Sequence, residues 1–355
     1  MNAKRAARNE AHRPSFVSVR YWSGSWAQGQ FRGLHSCYSS GPNGFRDSLP
    51  AIRKRSPGGI MTVRLSEPRL VLQTEDVIGE VPLWDKASGR LSWIDIFKPA
   101  LHLFDPAAGR LESFTPPEKL GSYGLAGKGR YIVAGRGGIA MWEPATGQFD
   151  RLSTPEADRP DNILNDGRVD HAGRFVVGSM DRNLSGPKGR LWQVTRDQTR
   201  LLQGEDVTLP NSVCWSPDGD TFYFGDGRSN LIYAYDYDQE TGDISGRRVF
   251  ADTSAMPGEC DGSSVDCEGY VWNARFGGSC ILRFAPDGSL DRKIDLPVSR
   301  IAHLAFGGPD LKTIYVTTGR FRMKPEELAA EPWAGGLLAM DSDIAGVPEA
   351  SYRPG

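Results

Sequence analysis

Oxygen-bearing side chains recur at one place in a repeating sequence. The stretch Pro257–Ala274 sets the pattern: Asp261 stands before a glycine, and eight residues later Gly269 ends a turn that feeds the run Tyr270-Val271-Trp272. Matching turns occur at Gly129, Gly173, Gly219 and Leu311, and counting back eight from each gives Gly121, Asn165, Asn211 and His303. Nine back from Gly89 lies Glu80. Glu80, Asn165, Asn211 and Asp261 form an all-oxygen set, which suits one hard divalent cation such as Ca²⁺, Mg²⁺ or Mn²⁺, with Zn²⁺ and Fe²⁺ left open. Any one of them alone reads first as a turn residue capping its own loop. The shared offset is what argues for a common point. His303 fits a packed channel residue as well as a ligand.

Positioning these groups requires a repeat that returns each to one height. From Pro68 onward short β-rich runs alternate with glycine turns, and the six turns are spaced 40, 44, 46, 50 and 42 residues apart. Twelve strands stand out in six pairs: Leu91–Phe97 with Leu101–Phe104, Tyr131–Ala134 with Ile139–Trp142, Phe175–Gly178 with Leu191–Val194, Phe222–Gly225 with Ile232–Tyr237, Val271–Ala274 with Ile281–Phe284, and Ile314–Thr317 with Gly336–Met340. Units of this length, each with about four strands, are propeller blades. The expected fold is therefore all-β, a six-bladed β-propeller. In it the first strand of each blade lines the channel. The last unit lacks an evident fourth strand and Pro68–Gln73 is a strand without a blade, so the N-terminal strand is expected to complete the last blade and close the ring. Lys324–Ala330 reads as a short inserted helix started by Pro325.

At these residues the chain resembles the gluconolactonase and regucalcin (senescence marker protein) family of six-bladed propellers, over about Ser66 to Asp341. The motifs that carry the likeness are Gly79-Glu80-Val81-Pro82-Leu83-Trp84, the run Asn165–Met180 that begins Asn-Asp-Gly-Arg-Val-Asp, Leu209–Gly219 with Pro210-Asn211-Ser212, and Cys260–Gly269 with Asp261-Gly262. The resemblance implies one divalent metal held by Glu80, Asn211 and Asp261, with Asn165 beside metal and substrate. It implies hydrolysis of sugar lactones to aldonic acids, with Asp261 as general base. Asn165, Tyr123, Arg182, Asn183 and His303 are the candidates for substrate contact. Many relatives carry Arg where this chain has Ile163, some carry an acid in place of Asn183, and the residue after Asn211 is usually Gly where this chain has Ser212. A calcium-dependent phosphotriesterase and a non-catalytic metal-binding propeller are the competing readings.

Composition agrees with a soluble catalytic body. Of 355 residues 39% are hydrophobic and 24% charged. The first sixty residues hold ten Lys/Arg against two acids, leaving 32 against 42 for the rest. Residues 1–60 are expected to be a disordered basic extension, with the domain over 61–355. A transit peptide, a basic tail and a misassigned start upstream of Met61 all fit that extension, and the apolar pattern beginning at Val63 favours the last. No clustered basic face argues for nucleic acid, and no run of about 18 apolar residues argues for a membrane span. The five cysteines, Cys37, Cys214, Cys260, Cys267 and Cys280, show no paired spacing of metal or redox type. A cytoplasmic protein acting on a small-molecule lactone, as a monomer or small homo-oligomer, is the expectation.

Overall fold

The computed structural model describes residues 63–353, and the basic extension expected over residues 1–60 lies outside them, Cys37 included. The chain forms six four-stranded antiparallel sheets arranged as the blades of a β-propeller. The innermost strands are Gly79–Asp85, Leu120–Leu125, Asn162–Val169, Pro210–Trp215, Glu259–Val265 and Ile301–Gly307, one from each of blades 1 to 6. Each packs beside the next around the axis. These strands are almost wholly buried, whereas outer strands such as Gln148–Ser153 and Leu290–Asp295 are largely exposed.

The six turns that set the repeat share one backbone state. Gly89, Gly129, Gly173, Gly219 and Gly269 have φ of 67°, 72°, 92°, 79° and 84°, and the sixth position, Leu311, adopts φ 57° without being glycine. A left-handed residue closes each tight turn between the first and second strands, and glycine does so without a Cβ penalty.

Apolar clusters lie between blades rather than within them. Val81, Leu83 and Ile94 of blade 1 meet Leu120, Tyr123 and Val133 of blade 2, and Val176 and Leu191 of blade 3 meet Phe222 and Phe224 of blade 4. The largest cluster joins blades 5, 6 and 1 around Trp93, Trp272, Phe306 and Leu338. Each blade thus buries both faces against its neighbours, which is why the ring must close.

Closure is made by Arg69–Gln73, which pairs antiparallel with Gly336–Asp341 as the outer strand of blade 6. The Arg69 guanidinium holds the Asp341 carboxylate through Nη1 and Nη2 at 2.9 and 3.0 Å. The expected inserted helix is Pro325–Ala330, between the second and third strands of blade 6.

A feature absent from the sequence reading closes the far end of the channel. Residues 344–353 run as a strap from blade 6 across the axis to blades 2 and 3. Gly346 N donates to Leu311 O at 2.9 Å, Cys267 N to Ala345 O at 2.9 Å, Tyr352 N to Leu125 O at 2.6 Å and Arg353 N to Gly173 O at 2.9 Å. Beneath the strap Glu349 pairs with the buried Arg168, whose Nη1 also donates to Ser263 O at 2.7 Å.

Candidate active site at the channel mouth

The offset residues lie on innermost strands, near their starts, at the end of the channel opposite the strap. At each of them the ladder to the second strand breaks register. The breaks fall between Glu80 and Leu83, Leu120 and Ser122, Leu164 and Gly167, Asn211 and Cys214, Cys260 and Ser263, and Ile301 and His303. A bulge re-aims a side chain out of the alternating pleat. Six bulges at one level turn Glu80, Asn165, Asn211, Asp261 and His303 toward a common space.

Two of these bulges are held in a costly conformation. Val81 and Ser212, directly after Glu80 and Asn211, have φ of 49° and 60°. For a β-branched residue such as Val81 this is an outlier worth roughly 1–3 kcal/mol, a cost that persists only where the surroundings over-determine it. At Ser212 the compensation is visible. Its hydroxyl donates to the Asp261 carbonyl at 2.6 Å and accepts from Asn273 Nδ2 at 3.1 Å and Ser263 Oγ at 2.9 Å. Ser212 therefore sits where the backbone asks for glycine, and fastens blade 4 to the backbone of Asp261.

Hydrogen bonds run from blade to blade through the site. Asn165 Nδ2 donates to Pro210 O at 2.8 Å and to Asn211 Oδ1 at 3.1 Å. Asn211 Nδ2 donates to Cys260 O at 3.1 Å, which fixes the amide with its oxygen facing Asn165. His303 is buried, and its Nδ1 lies 2.8 Å from Leu304 N and 3.0 Å from Leu304 O. Its ring lies over Gly262, where a Cβ would come within 2.0 Å of it. Burial, with Arg168 nearby, lowers its pKa to about 3, so the imidazole is neutral.

Charge is concentrated here. Glu80 and Asp261 are buried, and burial pushes both carboxyls well above the usual range. Asp261 and Asp166 raise Glu80 further, and Asp166 raises Asp261. Asp166 itself is pushed up to about 6 by burial, although its Oδ2 accepts from Val213 N at 3.1 Å. Among the described residues neither Glu80 nor Asp261 is ion-paired. Also among them, no three of His, Cys, Asp and Glu stand close enough to hold a metal by themselves. Any cation here must take amide oxygens as well.

The remaining predicted residues divide. Arg182 stands on the rim, exposed and paired with Asp161 at 2.9 Å, and Asn183 is exposed beside it. Tyr123 is not at the mouth. It is wholly buried between blades 1 and 2, with its hydroxyl donating to Ser92 Oγ at 2.7 Å and its ring against Tyr131. Sequence reasoning passed over Asp166, although it lies in the quoted triplet Asn165-Asp166-Gly167 and its carboxyl was the available signal.

Residues 78–320 match the profile of the SMP-30/Gluconolactonase/LRE-like region. The chain belongs to this family. Among relatives in it, a 6-deoxy-6-sulfogluconolactonase of Pseudomonas putida is 35% identical over 80% of this chain and 98% of its own length. A pentonolactonase of Haloferax volcanii is 31% identical over 79% of this chain and 96% of its own. The crystal structure of a regucalcin from Agrobacterium tumefaciens, described as a calcium-binding protein, superposes with a TM-score of 0.77 at 30% identity, covering 81% of this chain and 97% of that one. Members of the SMP-30/gluconolactonase family thus share both the propeller and most of the length of this chain. Among the described residues no helix is long and apolar enough to cross a membrane.

Proposed function

We propose that the protein hydrolyses the ring ester of sugar lactones to aldonic acids, with one divalent cation held by Glu80, Asn211 and Asp261 and with Asn165 beside it. The observation that carries this reading is the convergence of two buried, unpaired carboxylates and two oriented amides at bulges of four neighbouring or facing strands. Such a set is unfavourable by itself, because like charges repel in a desolvated space, and it fits a cation that neutralises them. Lactone-hydrolysing relatives support the substrate class, since their names specify sugar lactones of different kinds.

When bound, the cation supplies Lewis-acid polarisation of the lactone carbonyl. The protein's own groups do the rest. Asp261 takes a proton from the attacking water and returns it to the departing ring oxygen. Asn165 has its amide nitrogen committed to Pro210 O and Asn211 Oδ1, which leaves its carbonyl oxygen for a sugar hydroxyl. His303 faces the substrate from the adjoining strand with a neutral imidazole. Arg182 and Asn183 reach the substrate only from the rim.

A pH-indicator assay on gluconolactone, galactonolactone, xylonolactone and paraoxon tests the reading. Acid release from at least one lactone, lost on chelation and restored by a divalent cation, is expected. Lactone turnover undiminished by chelator would overturn the metal dependence, and turnover of paraoxon alone would overturn the ester class.

A further inference from the structure

Asp166 stands among the site residues, yet the hydrolytic mechanism gives it no task. Its carboxylate reaches from the inner strand of blade 3 into blade 4. There Oδ2 accepts from Val213 N at 3.1 Å, and the backbone N–H groups of Ser212 and of its own neighbour Gly167 donate to the same carboxylate. The residue is buried, so these bonds are made out of reach of solvent.

The two amides it receives from blade 4 belong to the residues directly after Asn211, and the first of them, Ser212, is the one held at φ 60°. Successive amides around a left-handed residue make a concave anion-binding nest. Here a carboxylate of the chain itself fills the nest. The bulge of blade 1 is built otherwise: the left-handed Val81 donates its N–H to Oε2 of the preceding Glu80 at 3.3 Å. Among the described residues no side chain of the neighbouring blade 6 caps it.

Across blades 3 to 6 the residue after each offset position meets the next blade. Asp166 of blade 3 holds the backbone of blade 4, Ser212 Oγ of blade 4 donates to Asp261 O of blade 5 at 2.6 Å, and Gly262 of blade 5 lies against the His303 ring of blade 6. Asn165 adds a parallel tie through Nδ2 to Asn211 Oδ1 at 3.1 Å. Asn165, Asn211 and Asp261 are thereby fixed one to the next, and Asp166 is the first link of that chain.

We propose that Asp166 is a positioning residue for the cation site: without being a ligand, it holds Ser212 in the left-handed conformation and so keeps the Asn211 side chain in place beside Asn165 and Asp261. A serine resists that conformation because its Cβ crowds the backbone, and a carboxylate bonded to both following amides offsets the resistance. Without Asp166 the bulge relaxes, and a cation must rebuild the site as it binds. Affinity then falls, while the chemistry of the loaded site stays intact. The inference rests on the cation reading above.

The test measures Ca²⁺ and Mn²⁺ binding by titration calorimetry for the wild type, Asp166→Asn, Asp166→Ala, Ser212→Gly and the two double variants, with thermal melts in chelator to check folding. Asp166→Ala is expected to weaken binding about 10- to 100-fold, the usual effect of losing a partner that orients a ligand. Asp166→Asn keeps an acceptor for Val213 N and should lose less; equal losses would show that only the negative charge matters and would overturn the proposal. Glycine takes the left-handed state without a Cβ, so removing Asp166 should cost less in the Ser212→Gly background than in the wild type. Additive losses overturn the proposal too, and the near-isosteric Asp166→Asn makes the same comparison where Asp166→Ala does not fold. With cation saturating, kcat of Asp166→Ala on a lactone that the wild type turns over should return to within a few-fold of wild type. A kcat still down by about a hundredfold would place Asp166 in the chemistry instead. Each of these failures leaves the cation reading standing, whereas a wild-type chain that binds neither cation overturns both.

Discussion

At the mouth of the channel Asp166 raises the proton affinity of Glu80 and Asp261, and Asp261 that of Glu80, whereas further along the inner strands Arg168 and the strap's Glu349 neutralise each other. Both ends are buried and charged. The far end is satisfied: Arg168 reaches Glu349, Ser263 O and Ser264 Oγ, so its charge contributes to cohesion. The mouth is left frustrated, with strained bulges at Val81 and Ser212 and carboxylates lacking a cationic side chain. One ring thus separates a structural use of charge from a chemical one. The unsatisfied end is where a ligand gains most.

That contrast can be broken in several ways. Asp261→Asn should lower kcat by about 10²- to 10⁴-fold, the range for loss of a general base, with little change in melting temperature; near wild-type turnover would remove Asp261 from the mechanism. Arg168→Met should do the reverse, costing about 3–5 kcal/mol in denaturant melts by stranding Glu349, while folded enzyme keeps its kcat. Arg168→Met/Glu349→Met should recover much of that loss. If Arg168→Met instead abolishes kcat in folded protein, the two ends are not separate.

The pH dependence of the metal-free protein sharpens the point. A carboxyl whose pKa is higher folded than unfolded binds more protons in the native state, so its contribution is full below the unfolded value and is lost as pH rises. Asp166, at about 6 against an ordinary 3.8, and Glu80 and Asp261, also raised, therefore make the chelated protein lose roughly 1–3 kcal/mol as pH climbs from about 4 through 6 and beyond. Glu80→Gln should flatten this slope and raise the melting temperature in chelator. A stability that rises over that interval would contradict the frustrated mouth. The smallest effect belongs to Tyr123→Phe, which removes one buried hydrogen bond worth about 1 kcal/mol and should leave kcat/KM unchanged.

Sequence legibility followed the same division between regular and irregular backbone. The twelve strands read from the sequence are the two middle strands of each blade, where apolar runs such as Tyr131–Ala134 and Ile281–Phe284 face packed neighbours on both sides. Outer strands such as Leu290–Asp295 escaped because exposed polar residues dilute the pattern. Inner strands escaped because their bulges and glycines interrupt the alternation, yet those same interruptions marked the candidate site. Closure by Arg69–Gln73 was legible because a strand was missing at one end and spare at the other. The strap was not, since residues 344–353 have no periodicity and are ordered by backbone bonds to turns far away in sequence. Tyr123 was misplaced for a simpler reason: on an inner strand alternate residues face the neighbouring blade, and a one-residue offset decides which.

The pairing of Arg69 with Asp341 joins residues 272 positions apart. The outermost strand of the last blade is therefore made by the ribosome before any of the blades, and its partner strand emerges only after five blades are complete. Until then Leu70, Leu72 and the neighbouring faces of blades 1 and 6 remain uncovered. Folding is committed late and over a long sequence separation, which slows it and exposes apolar edges to aggregation in the interval. A chain stalled short of Met340 would hold every residue of the site and still lack the clasp that makes the ring a ring.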